Sequence, residues 1–165
     1  MERQEIIDFW GPEKLIRWPQ SATSALRVPE QSKSFLCEVG LPIQEDWNFR
    51  FDGNDRFPPL KDKPHYRRIG IDDPMPFCLD EEGNGRVIEV TDKLELFVNS
   101  SVELFAECLL LFQQYRNAAY GRPKEEGDQM LEITRARIET ADPPALADPN
   151  TFWSLIVEQM EYELL

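Results

Sequence analysis

The sequence predicts an α+β fold, with a central, mostly antiparallel sheet flanked by N-terminal and C-terminal helices. Three observations predict it. Short alternating segments follow one another through the middle of the chain, with turns between them and no long helix to carry a parallel crossover. Apolar residues at helical spacing occupy both flanks. The length of 165 residues, with 41% hydrophobic residues, suffices for one folded domain over residues 1–165.

Taken in order, "EIIDFWG" reads as a short helix stopped at Gly11-Pro12, and "PEKLIRWP" as a second short turn. "VPEQSKSFLCEVGLP" is a clearer helix. Pro29 suits its first turn, Phe35, Leu36 and Val39 gather toward one face, Gly40 takes the left-handed position after it, and Pro42 prevents continuation. "DWNFRF" alternates Trp47, Phe49 and Phe51 on one face. "HYRRIGI" is a strand following a proline-rich loop from Phe57 to Pro64. "MPFCLD" and "GRVIEV" flank "EEGNG", where Asn84-Gly85 signals a hairpin because both residues tolerate positive φ. "LELFV" is the next strand.

The helix after it extends from about Ser101 to Tyr120. Ser100 followed three residues later by Glu103 matches a capping box, with Ser101 as the first helical residue. Val102, Phe105, Leu109 and Phe112 form one stripe, widened by Leu104, Cys108, Leu111 and Tyr115, so this helix packs against more than one neighbour. A further amphipathic helix carries Met130, Leu131, Thr134 and Ile138 inward until Pro143-Pro144. Asp148-Pro149 then reads as an N-cap and first turn, opening a last helix with Phe152, Trp153, Ile156, Met160 and Leu164 on its inner face.

Acidic residues outnumber basic ones by 31 to 18, a net charge of −13. Such a surface repels phosphate, which argues against nucleic acid or an anionic membrane as partner and favours a basic protein. The start "MERQEIIDFWG" has neither the basic opening nor the apolar core of a signal peptide, and no window holds the roughly 20 apolar residues of a membrane span. The expected location is the cytoplasm. Cys37, Cys78 and Cys108 are odd in number, far apart and set among apolar neighbours, as expected for free thiols.

Catalytic patterns are weak. Ser100 or Ser101 would need a base, and the single histidine, His65, lies in a separate Lys/Pro-rich segment; no GxSxG elbow surrounds the serines. Asp80, Glu82, Asn84 and Gly85 match the first half of a calcium loop, but its twelfth position is Thr91, which has no carboxylate. Asp72-Asp73 and Asp80-Glu81-Glu82 are paired acids with no histidine cluster to complete a metal site. "KDKPHYRR" gathers Lys61, Lys63, His65, Arg67 and Arg68, a candidate phosphate contact that Asp62 and the acidic remainder of the chain weaken, and "EEGNGR" lacks the strand–GxxxxGK–helix context of a phosphate loop. No metal or other cofactor is expected. Of the four tryptophans, Trp153 reads as core, whereas Trp47 sits beside polar segments and is a candidate interface anchor.

The segments "SFLCEVGLP", "YRRIG", "FCLDEEGNGRVIEV", "LFVNSSVELFAECLLLF" and "FWSLIVEQME", spanning Ser34 to Glu161, resemble in order and separation the SUKH superfamily, and more narrowly its fourth immunity-protein family. The resemblance implies an α+β fold and a non-enzymatic role: binding and neutralising a cognate bacterial toxin domain, many such toxins being nucleases or nucleic-acid deaminases. It supplies no catalytic motif. On the positions it shares, the resemblance implies structural roles: Gly40 and Pro42 end a helix, Gly70, Asp80 and Gly83 shape strand ends, and Asn99, Ser100 and Ser101 make the strand-to-helix turn. A housekeeping adaptor of the same fold is the alternative. Charge and expected exposure place the partner-binding surface on Asp72, Asp73, Asp80, Glu81, Glu82 and Glu89, with Trp47 as anchor.

Overall fold

A computed structural model describes residues 2–43, 49–53, 55–91 and 93–162. Helix α1 (Arg3–Trp10) ends at Gly11, whose φ of 84° turns the chain into a 3-10 turn at Pro12–Lys14. Strand β1 (Leu15–Ile16), the single-turn helix α2 (Gln20–Thr23), helix α3 (Glu30–Glu38) and strand β2 (Leu41–Pro42) follow. Pro29 is the residue before α3 rather than part of its first turn. Strands β1 and β2 form a small antiparallel ladder, Leu15 opposite Pro42 and Ile16 opposite Leu41. Gly40 makes that closure possible: its φ is 83°, and a Cβ there would collide with the Ile16 carbonyl oxygen.

The main sheet contains β3 (Phe49–Phe51), β4 (Pro59–Leu60), β5 (Lys63–Asp72), β6 (Met75–Asp80), β7 (Val87–Val90) and β8 (Glu95–Asn99). Its order is β3-β5-β6-β7-β8, with β4 also paired to β5, and every pairing is antiparallel. Trp47 lies outside the described residues, but Phe49 and Phe51 are buried with Arg50 exposed between them, as alternation predicts. Gly70 lies inside β5, at an irregularity in its pairing with β6, rather than at a strand end. A Cβ there would strike the Arg50 carbonyl and the Phe51 ring, so glycine lets β3 lie close over β5. The β6–β7 hairpin turns at Asn84 (φ 57°) and Gly85 (φ 78°) as the sequence predicts.

Helices α4 (Val102–Ala119), α5 (Lys124–Ala141) and α6 (Phe152–Glu161) complete the chain, with a 3-10 turn at Pro143–Leu146 between the last two. One face of the sheet supplies Phe49, Phe51, Phe77, Leu79, Val87 and Val98 to the main core, where Phe105 of α4 and Phe152 and Trp153 of α6 meet them. Ring centroids of Phe77 lie 5.2 Å from Phe105 and 5.3 Å from Phe152. The other face holds a smaller cluster of Tyr66, Cys78 and Ile88. Burial on both faces explains why "MPFCLD" reads as a nearly continuous apolar run. Among the described residues, no helix is long and apolar enough to cross a membrane.

Two helix starts differ from expectation. The cap of α4 is Ser101, whose Oγ accepts from the Leu104 N–H at 3.3 Å. Ser100 is occupied elsewhere, and Glu103 accepts a hydrogen bond from Ser32 Oγ at 3.0 Å instead of closing a capping box. Helix α6 is capped by Thr151, not Asp148; the Asp148 carboxylate instead accepts from the Asn150 N–H at 2.8 Å within the preceding turn. In both places several hydroxyl or carboxylate residues stand within reach of the first turn, and tertiary contacts choose between them.

Candidate functional site

The acids singled out from the sequence divide between the two ends of β6. Asp80, Glu81 and Glu82 stand where it enters the hairpin to β7; Asp72 and Asp73 stand at the opposite turn, from β5, with Glu89 beside them on β7. The six residues of β6 span about 20 Å, so these acids are not one patch. Nor are they uniformly exposed. Asp80, Glu81 and Glu89 are 2%, 9% and 3% exposed, against the expectation, while Asp72 is half-buried and Asp73 and Glu82 are open to solvent.

At the hairpin end the buried acids are fully engaged. Asp80 accepts the Glu82 N–H at 3.0 Å and pairs with the Arg86 guanidinium at 2.8 Å; a Cβ at Gly83 would intrude on that pair. Glu81 accepts the Arg27 N–H and Arg67 Nε, both at 2.9 Å, and the Arg27 guanidinium at 3.3 Å. Burial alone would raise the Glu81 carboxyl, but the Arg27 N–H and the Arg67 guanidinium outweigh it and hold the group below the usual carboxylate range. Glu81 therefore ties the segment between α2 and α3 to β5. Its burial follows from two arginines 54 and 14 residues away in the chain, which local sequence does not announce.

At the opposite end the arrangement reverses. Asp72 is opposite Met75 on β6, and Glu89 is opposite Phe77, so the two acids reach across β6 from either side on the core face. Their carboxyls share a hydrogen bond in which Glu89 keeps the proton and Asp72 accepts. Burial, then the charge of Asp72, push Glu89 up to about 8. Glu89 Oε1 is buried with no hydrogen-bond partner. Arg50, on the outer face of β3, pairs with Asp73 at 3.2 Å.

The family model for the SUKH-4 immunity protein matches residues 1–159. The chain belongs to the SUKH-4 immunity protein family. Its role is that of an immunity protein, and its partner class is a toxin. No match was found among curated proteins or among solved structures.

Other sequence candidates resolve into structure in this SUKH-4 chain. Ser100 donates its N–H (2.8 Å) and its hydroxyl (2.6 Å) to the Asp142 carboxylate, which also accepts from Asn99 Nδ2 at 2.8 Å. Asn99 Oδ1 in turn accepts from Trp153 Nε1 at 2.8 Å. The "NSS" turn is thus a buried polar clamp joining β8 to the end of α5 and to α6. Among the described residues, neither serine is hydrogen-bonded to His65. Asp142 was not singled out from the sequence; the signal was a carboxylate placed just before Pro143-Pro144, at a helix end that must turn sharply.

The basic run is likewise committed: Lys63 pairs with Glu95, Arg67 with Glu81, and Arg68 with Asp52 at 2.7 Å. Among the described residues, no group of three or more His, Cys, Asp or Glu side chains is placed to hold a metal ion. All three cysteines are free thiols, and burial pushes Cys78 and Cys108 up to about 12, far from a reactive thiolate.

Proposed function

We propose that this immunity protein works without catalysis, by holding a cognate toxin domain that attacks nucleic acid, and that negative charge guides the encounter. The observation that carries the reading is the net charge of −13 on a SUKH-4 chain. A toxin that must approach phosphate presents a positive cleft, and an acidic protein competes for it by the same electrostatics. Asp73 and Glu82 keep their carboxylates in solvent and Asp72 is partly open, at the two ends of β6. A contact using both ends spans about 20 Å, well within a standard interface. Asp80 and Glu81 contribute from behind, by holding the hairpin end in place, Glu89 stands beside Asp72 at the other end, and Trp47 is proposed as an apolar anchor in the same contact.

The natural probe is a toxin domain sought in the reading frames next to the gene. Co-expression should protect the cell, and the purified pair should associate at a rate that falls steeply with salt. Replacing Asp73 and Glu82 together by lysine should slow association about tenfold and flatten the salt dependence, with the fold intact. An unchanged on-rate moves the contact elsewhere, and a wild-type protein that neither binds nor protects removes the reading. Reversal at Asp80 or Glu81 is no test of binding, because it would set lysine against Arg86 or against Arg27 and Arg67.

A further inference from the structure

Given the toxin-binding reading above, we infer that the Asp72–Glu89 pair is the receptor for one basic side chain, a guanidinium or ammonium group, delivered by the toxin. Two features of this one acidic pair point to a cationic ligand. Two carboxyls converge across β6 with no ion pair to either among the described residues. One of them, Glu89, is 3% exposed yet leaves Oε1 without any hydrogen-bond partner, which is costly in a folded core. The chain does own a cation at this end, but Arg50 projects from the opposite face of β3 and is engaged by Asp73. The position is therefore shaped for a positive group that the described residues do not supply.

Access runs through Asp72, which is half-buried and accepts the hydrogen bond from the protonated Glu89 carboxyl. The charged groups acting on the pair are Asp73, which adds negative charge beside Asp72, and Arg50, which offsets Asp73 from the outer face. A guanidinium arriving at Asp72 favours the ionised form of both acids, so Glu89 gives its proton to solvent and one proton leaves per complex formed. Two carboxylates then face one cation, and Oε1 gains the donor it lacks. The pair would act as a proton-loaded seat, neutral enough to stay folded when empty and charged when occupied. This adds a deep, specific contact to the long-range attraction of Asp73 and Glu82.

The test has two arms. In the first, argininamide is titrated into the intact protein while the side-chain carboxyl carbons of Asp72 and Glu89 are followed by NMR across pH. The Glu89 midpoint should fall from about 8, by about one unit or more. A midpoint that does not move overturns the inference. In the second, the toxin domain is titrated by calorimetry in buffers of different ionisation enthalpy. The wild-type complex should release a proton near neutral pH and tighten as pH rises toward 8, Glu89→Gln should abolish the release, and Asp72→Asn should weaken binding by about tenfold or more. Glu89→Gln keeps shape and hydrogen-bonding capacity, and its thermal unfolding shows independently that it folds. A wild-type complex whose affinity and proton release are unchanged in both variants overturns this assignment alone; a wild-type protein that forms no complex and gives no protection overturns it together with the reading beneath it.

Discussion

The two ends of β6 solve one problem in opposite ways. Each brings acids into the sheet. At the hairpin end Asp80 and Glu81 are neutralised by Arg86, Arg67 and Arg27, and the charge is kept. At the other end Asp72 and Glu89 meet each other, and the charge is reduced by keeping a proton. The lesson is that a buried acid is not one kind of feature: an arginine-paired carboxylate fastens the fold, whereas an acid held by a proton leaves a charge available for something else. The pH responses should therefore have opposite signs. Glu81 has a lowered folded value, so its stabilisation is present above the ordinary glutamate range and lost as pH falls through it. Glu89 has a raised one, so the folded state binds more protons than the unfolded chain between 4.5 and about 8, and stability declines as pH rises through that window.

The largest expected effect breaks the arginine-paired end. Glu81→Ala strands Arg67 and the Arg27 N–H beside a void and should cost about 3–5 kcal/mol, read as a drop in the urea midpoint at neutral pH. If the loss were under about 1 kcal/mol, Glu81 would not be fastening the α2–α3 segment to the sheet. A smaller effect of opposite sign sharpens the proton-held end. Glu89→Gln should remove the decline between pH 4.5 and about 8, whose slope in the wild type approaches about 1.4 kcal/mol per pH unit. A variant that tracks the wild type from pH 5 to about pH 8 would show that Glu89 is ionised throughout. The smallest effect is the control: Asp73→Asn, which removes a solvent-exposed partner of Arg50, should change stability by no more than about 0.5 kcal/mol at any pH.

Much of this fold was legible in the sequence because its signals are local. Short apolar or alternating segments between turns placed β3, β5, β6, β7 and β8; Asn84-Gly85 placed the hairpin; Gly40 and the prolines ended helices. What was not legible lacks local periodicity or depends on distant partners. Strands β1, β2 and β4 have two residues each, too few to alternate, and exist because their neighbours pair them. Ser100 and Ser101 are both hydroxyls before the same helix, and only Asp142, 42 residues away, decides which one caps it. The same holds for the surface: a charged residue in a strand reads as exposed unless its counter-group is known, and for Glu81 that group lies 54 residues upstream. Family membership was carried by turns and strand patterns, which fix the scaffold, whereas the proposed contact rests on which acids stay free.

The Trp153–Asn99–Asp142 clamp also sets an order of events during synthesis. All six strands of the main sheet precede residue 100, but Phe152 and Trp153, which cover Phe77 and satisfy Asn99, come in the last helix described. Until α6 emerges, Phe105 of α4 covers Phe77 from one side only and Asn99 lacks its indole donor, so the core of the sheet is completed by the last helix described.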